Sequence, residues 1–267
     1  MFDDVVLQCV AGLFKPDQEG WITLMARKQL LGMTGAVAAL GLFVLPTHAA
    51  LLNPDADSFV DRGSGTSNFG SAQFMRVKND SGTFVRKAYV RYDLSGLAFD
   101  HTTDLDAASL SMTFYDGNAG NGGTTVDWTF QVYGLNDGDA GEGWGEGTIN
   151  WNNAPQNDTS NGNGVLAGAT SLGTFNFVGR TQVVDFTGTG GTAVRDFVAA
   201  SSSDDLVTFI VVRDTPQPDA GNSYIHYLGT KENAGQPNVT LNLTQVPEPS
   251  TLALLGLGGL LIAHRRR

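Results

Sequence analysis

The chain has 267 residues, and its 34 glycines, 15 phenylalanines and 16% charged residues exclude a disordered tail and a helical bundle while leaving room for one sizeable core. With 27 acidic against 16 basic residues the formal net charge is -11, which repels a phosphate backbone and excludes a nucleic-acid partner. The single cysteine, Cys9, excludes an internal disulfide and a cysteine-held metal cluster.

From the N-terminus, Met25, Arg27 and Lys28 precede an apolar run from Leu30 to Leu45, then Pro46 and the pair Ala49-Ala50. A charged start, an apolar middle and a small-residue end predict a secretory signal peptide beginning at Met25. Residues 1–50 are therefore read as an upstream extension plus signal, 51–245 as one β domain and 246–267 as a separate terminal segment.

Within the domain 10 basic and 22 acidic residues remain, a balance that suits an extracellular protein and leaves carboxylates for calcium. Asp55 and Asp57, at the start of the first strand, are the candidate ligands for a structural Ca2+ that pins that edge; turn capping is the plain alternative. Period-two alternation predicts strands in which Leu110, Met112 and Phe114 share one face, Val126, Trp128, Phe130 and Val132 another, and Val239, Leu241 and Leu243 a third. Leu206 to Val212 is apolar on both sides and reads as a central strand, and Gly191 to Ala200 carries the spacing of a short helix. Turn signals such as Asp116-Gly117-Asn118, Asn121-Gly122-Gly123, Asn136-Asp137-Gly138 and Asn161 to Gly164 separate the strands. The fold expected is all-β, a jelly-roll type β-sandwich of about ten strands with one short helix.

The basic residues cluster early. If Met75, Val77, Ala88, Val90, Tyr92 and Leu94 face inward, then Arg76, Lys78, Lys87, Tyr89 and Arg91 face outward on a hairpin closed by Asn79 to Thr83. Cations around a phenol predict a surface for an anionic, uronate-rich polysaccharide; the alternative is a solvated face whose cations pair with Asp93 and neighbouring acids. Trp144, framed by Gly143 and Gly145, is expected to plug a loop onto the core, with Glu146 holding that loop's amides, rather than to form a sugar platform with Trp151. Asp137 to Glu142 departs from a calcium loop, since Glu142 stands where glycine is required, and reads as a solvated acidic turn. His101 and His226 are the domain's two histidines, His226 expected to point outward as a structural residue. Nucleophile and zinc motifs are absent, so an enzyme ranks third among the readings; carboxylate-pair glycan hydrolysis needs no local motif.

The C-terminus reads Val246-Pro247-Glu248-Pro249-Ser250-Thr251, an apolar run from Leu252 to Ala263, then Arg265 to Arg267. Its combination of parts closely resembles the PEP-CTERM sorting signal. The resemblance implies recognition by an exosortase, with Leu252 to Ala263 acting as a transient inner-membrane anchor helix. Twelve helical residues rise about 18 Å, short of a ~30 Å hydrocarbon core, so the flanks must help. The arginines should stay on the cytoplasmic side.

A second resemblance covers most of the domain. Asp57 to Gly63, Ser67-Asn68-Phe69-Gly70, Met75 to Lys78, Arg86 to Leu97, Trp144 to Pro155, Val184 to Thr187 and Lys231-Glu232 look like carbohydrate-binding module family 96 and its DNRLRE-type relatives. This implies an extracellular β-sandwich that binds glycan, with alginate the ligand class of founding members. The sequence reading is thus a non-catalytic, secreted or surface-retained polysaccharide-binding protein of the exopolysaccharide or biofilm matrix. The alternative is a structural matrix or adhesion protein with no glycan affinity.

Overall fold

The computed structural model describes residues 49–80, 82–115, 127–179, 181–217 and 224–246. The predicted signal peptide as far as His48, the turns at 116–118 and 121–123, and the PEP-containing tail with its expected anchor run all lie outside these residues. Among the described residues no helix is long and apolar enough to cross a membrane.

Among the described residues eleven strands form two sheets. The first contains β1 (Ala49–Leu52), β3 (Phe74–Val77), β5 (Leu105–Tyr115), β8 (Gln182–Phe186), β10 (His226–Gly229) and β11 (Thr240–Gln245). Its order is β1-β11-β5-β10-β3, with β8 on the free edge of β5. The second contains β2 (Ala56–Asp61), β4 (Arg86–Asp93), β9 (Leu206–Arg213), β6 (Asp127–Leu135) and β7 (Ala169–Val178), in that spatial order. The strand ladders are antiparallel, and the chain crosses repeatedly between sheets, as a jelly roll requires. One α-helix among the described residues, α1 (Ala193–Ala200), buries Val194 and Val198. β1 starts at Ala49, so the first strand includes the alanine pair assigned from sequence to the signal end.

The core follows the alternation. Leu110, Met112 and Phe114 of β5 meet Trp128, Phe130 and Val132 of β6, with Val239, Leu241 and Leu243 beside them, all at most 1% exposed. Burying such side chains contributes about 1.5–3 kcal/mol each. β9 lies between β4 and β6, and it is covered on both faces, which explains its unbroken apolar run. Phe209 and Val211 enter the inter-sheet core, whereas Ile210 and Val212 enter a second core on the outside of the second sheet.

That second core is closed by the long β6–β7 connection, residues 136–168, which acts as a cap. Trp144, Ile149, Trp151 and Ala154 of the cap press on Ala56, Val60, Val85 and Tyr89. Gly70 lets the β2–β3 loop approach the cap: a Cβ there would stand 2.2 Å from the Glu146 carbonyl oxygen.

Two expectations are corrected here. β3 and β4 do not form a hairpin; they belong to different sheets and touch through one isolated bridge, Lys78 to Arg86, with both backbone bonds at 3.0 Å. His226 points inward rather than outward, with its ring edge-on to Phe130 at 4.9 Å between centroids. Arginine can only donate, so His226 Nδ1 accepts from Arg213 at 3.1 Å, which leaves Nε2 to donate to the Gly179 carbonyl at 3.2 Å.

Candidate glycan-binding surface

The alternation predicted for β3 and β4 is present, but the face it creates is not a surface. Ala88, Val90, Tyr92 and Leu94 face the inter-sheet core, so Lys87, Tyr89 and Arg91 face the other way, and there the cap covers them. Lys87 is fully buried; its Nζ donates to Asn157 Oδ1 at 2.7 Å and to the Gly164 carbonyl, and it lies 4.8 Å from the Trp151 ring centre. Burial lowers its pKa from 10.5 to about 8. Tyr89, also fully buried, donates to the Pro155 carbonyl at 3.2 Å. Arg91 pairs with Asp55, donates to the Trp144 carbonyl and lies 5.3 Å from that indole's centre.

Lys78 is fully buried against Asp80 at 3.1 Å. Arg76 alone among the five keeps a half-exposed position without closing the cap; its guanidinium lies over the Phe59 and Tyr227 rings, and its buried Nε has no hydrogen-bond partner. The expected cationic binding face is therefore corrected: Lys78, Lys87 and Tyr89 are interior groups, and Lys87, Tyr89 and Arg91 hold the cap. Trp144 is the expected plug, 7% exposed, with Nε1 donating to Thr208 Oγ1 at 3.0 Å. Glu146 does not hold amides of its own loop; Oε1 accepts the Asp57 backbone N–H at 2.9 Å and Oε2 pairs with Lys231 at 2.9 Å.

Among the described residues the first sheet has no such cap over its outer face. Between the core residues of β5 stand half-exposed Ser109, Ser111, Thr113 and Tyr115. Across the ladders Thr240, Ser111 and Asp185 form one row, and Leu51, Asn242 and Ser109 another. At the β10–β3 end Tyr115, Tyr227 and Arg76 form a third, and Phe74 meets Tyr115 and Tyr227 edge-on with centroids 6.0 and 5.9 Å apart. Small hydroxyl and amide side chains beside an aromatic corner offer donors and acceptors to hydroxyls and a ring surface to a sugar's apolar face. Arg76 is the one cation in these rows, so the surface has little to hold a polyanion.

Sequence reasoning missed this face. Its signal was the polar half of the β5 alternation, read there only for its apolar half.

Two acidic groups complete the inventory. Asp57, fully buried, has its pKa raised to about 7, chiefly by burial and further by Glu232 and Glu146. Asp55 does not join it, because its carboxylate pairs with Arg91. Glu142 is buried rather than solvated, accepting the Gly138 N–H at 2.7 Å, and burial raises its pKa to about 7 with Asp204 and Asp137 adding to the effect.

Residues 48–171 match the profile of carbohydrate-binding module family 96, and residues 245–267 match the PEP-CTERM protein-sorting motif. The first match runs from the start of β1 into β7, so β8 to β11 complete the sandwich beyond it. No curated protein matches the chain. Over residues 48–171 the chain thus carries a carbohydrate-binding module family 96 domain, and over residues 245–267 a PEP-CTERM sorting motif.

Proposed function

We propose that this is a non-catalytic polysaccharide-binding protein, delivered to the cell surface through its exosortase-recognised tail, where it retains exopolysaccharide or biofilm matrix. The observation that carries this reading is the open outer face of the first sheet, with Ser109, Ser111, Thr113, Thr240 and Asn242 leading to the corner of Phe74, Tyr115 and Tyr227. On the opposite sheet the cap covers the outer side of β2, β4 and β9. Uronate chains were the ligand expected while the basic residues stood on a surface. With those cations interior and the domain strongly acidic, a neutral or weakly charged chain fits the open face better.

A glycan array with the full chain, carrying neutral and uronate polysaccharides side by side, tests the proposal. Neutral chains should bind with little salt dependence. Silence across all chains would favour a structural matrix protein, and binding confined to uronates at low salt would restore the anionic ligand. Mass spectrometry of the native surface form should show cleavage close to Pro247-Glu248-Pro249 and loss of Arg265 to Arg267.

A further inference from the structure

Three segments distant in sequence converge at one edge of the sandwich: Asp57 from β2, Glu146 from the cap and Glu232 from the turn after β10. Each brings a carboxylate oxygen within 4.8 Å of the other two. Asp57 is fully buried; its Oδ2 accepts the Lys231 backbone N–H at 2.9 Å, but its Oδ1 has no hydrogen-bond partner. A buried oxygen left unpaired is costly to the fold, and a cation satisfies it where no protein donor reaches.

We propose that Asp57, Glu146 and Glu232 form a site for a calcium-class cation that ties β2, the cap and the β10–β11 connection together. Calcium bonds of about 2.3–2.6 Å allow ligand oxygens to stand up to about 4.6–5.2 Å apart, so three oxygens within 4.8 Å of one another can share one ion. Magnesium bonds of about 2.0–2.1 Å require a tighter set. Entry is through Glu232, which is exposed. The ammonium of Lys231 stands at the rim, 2.9 Å from Glu146 Oε2 and 2.6 Å from the Asp55 carbonyl oxygen. It is the competitor of the metal: its side chain is 31% exposed, so it can withdraw to solvent and free both oxygens. Three carboxylates against one ammonium leave the cluster anionic without it. The site is independent of any glycan.

The test is a calorimetric Ca2+ titration of the EDTA-stripped full chain, with Mg2+ in parallel and thermal melting alongside. One Ca2+ should bind and raise the melting temperature, and Mg2+ should bind at least tenfold more weakly. Glu232→Gln, an exposed change that leaves the fold intact, should weaken Ca2+ at least tenfold, as should Asp57→Asn. Lys231→Met, which removes the competitor, should tighten binding several-fold. Absence of heat and of a melting shift at millimolar Ca2+ would overturn the proposal. So would wild-type affinity in Glu232→Gln, weaker binding in Lys231→Met, or binding that is lost in Asp204→Asn instead, which would place the ion at the Asp137–Glu142–Asp204 group.

Discussion

The ammonium of Lys87 lies 4.8 Å from the centre of the Trp151 ring and is sealed from solvent by it. A strand lysine and a loop tryptophan 64 positions later thereby form one locking contact between the second sheet and its cap. The lysine's other bonds, to Asn157 and Gly164, also end on the cap, so its charge serves cohesion within the molecule.

Lys87 should therefore govern stability. Replacing Lys87 and Arg91 together with Ser should destabilise the domain by about 3 kcal/mol or more, since cap carbonyls and Asn157 lose their donors in a buried setting. Lys87→Met, which keeps the stem's volume and the Arg91 contacts but still strands Asn157 Oδ1 and the Gly164 carbonyl, should cost less than the double change. The folded pKa near 8 lies below the ordinary 10.5, so the unfolded chain binds more protons between those values. Wild-type stability should rise with pH across that window. Urea unfolding at pH 7.5 and 10.5 should show this rise reduced in Lys87→Met; an identical rise in both proteins would assign it to other groups.

Gly70 should tolerate no side chain. The Cβ of Gly70→Ala would meet the Glu146 carbonyl, a backbone atom with little freedom to give way. Overpacking of this kind costs about 1–3 kcal/mol, and it should appear as a lower melting temperature together with faster amide exchange in residues 144–154.

Glu142 should make the fold pH-sensitive in the acidic range. Its folded pKa is raised from 4.5 to about 7, so the native state holds the proton more tightly than the unfolded chain. The stabilising effect of protonation is present below about 4.5 and is lost as pH rises through about 7. Glu142→Gln, neutral at every pH, should gain on the wild type over this interval. Denaturation midpoints at pH 4.5 and 7.5 would read this, and a constant difference between the two proteins would contradict it.

Tyr115 should report on the open face. It is half-buried with its hydroxyl donating to the Pro237 carbonyl at 3.2 Å, and its ring edge borders Phe74. Tyr115→Phe should leave both fold and glycan affinity nearly unchanged, whereas Tyr115→Ala should lower affinity about tenfold, equivalent to about 1.4 kcal/mol. Isothermal titration with a polysaccharide selected on the array is the measurement; undiminished affinity in Tyr115→Ala would move the binding surface elsewhere.

The sequence by itself determined the class of fold, because alternation is a local property. Leu110, Met112 and Phe114 had to share a side whatever lay opposite, and the turn residues between strands set where each run stops. The C-terminal motif and the family's segments were legible for the same reason, being short and contiguous. What alternation cannot state is whether the outward side meets water. That was decided by residues 136–168, which fold back over β2, β4 and β9 of the second sheet. One signal did exist: Ile210 and Val212 alternate with Phe209 and Val211 in an unbroken apolar run, and a strand apolar on both sides needs cover on both. β4 pairs directly with β9, so the same cover had to extend over Lys87, Tyr89 and Arg91. Which strand β9 would pair with, and hence which polar residues lay beneath the cap, depends on contacts more than 100 residues apart, and only the tertiary structure contains those.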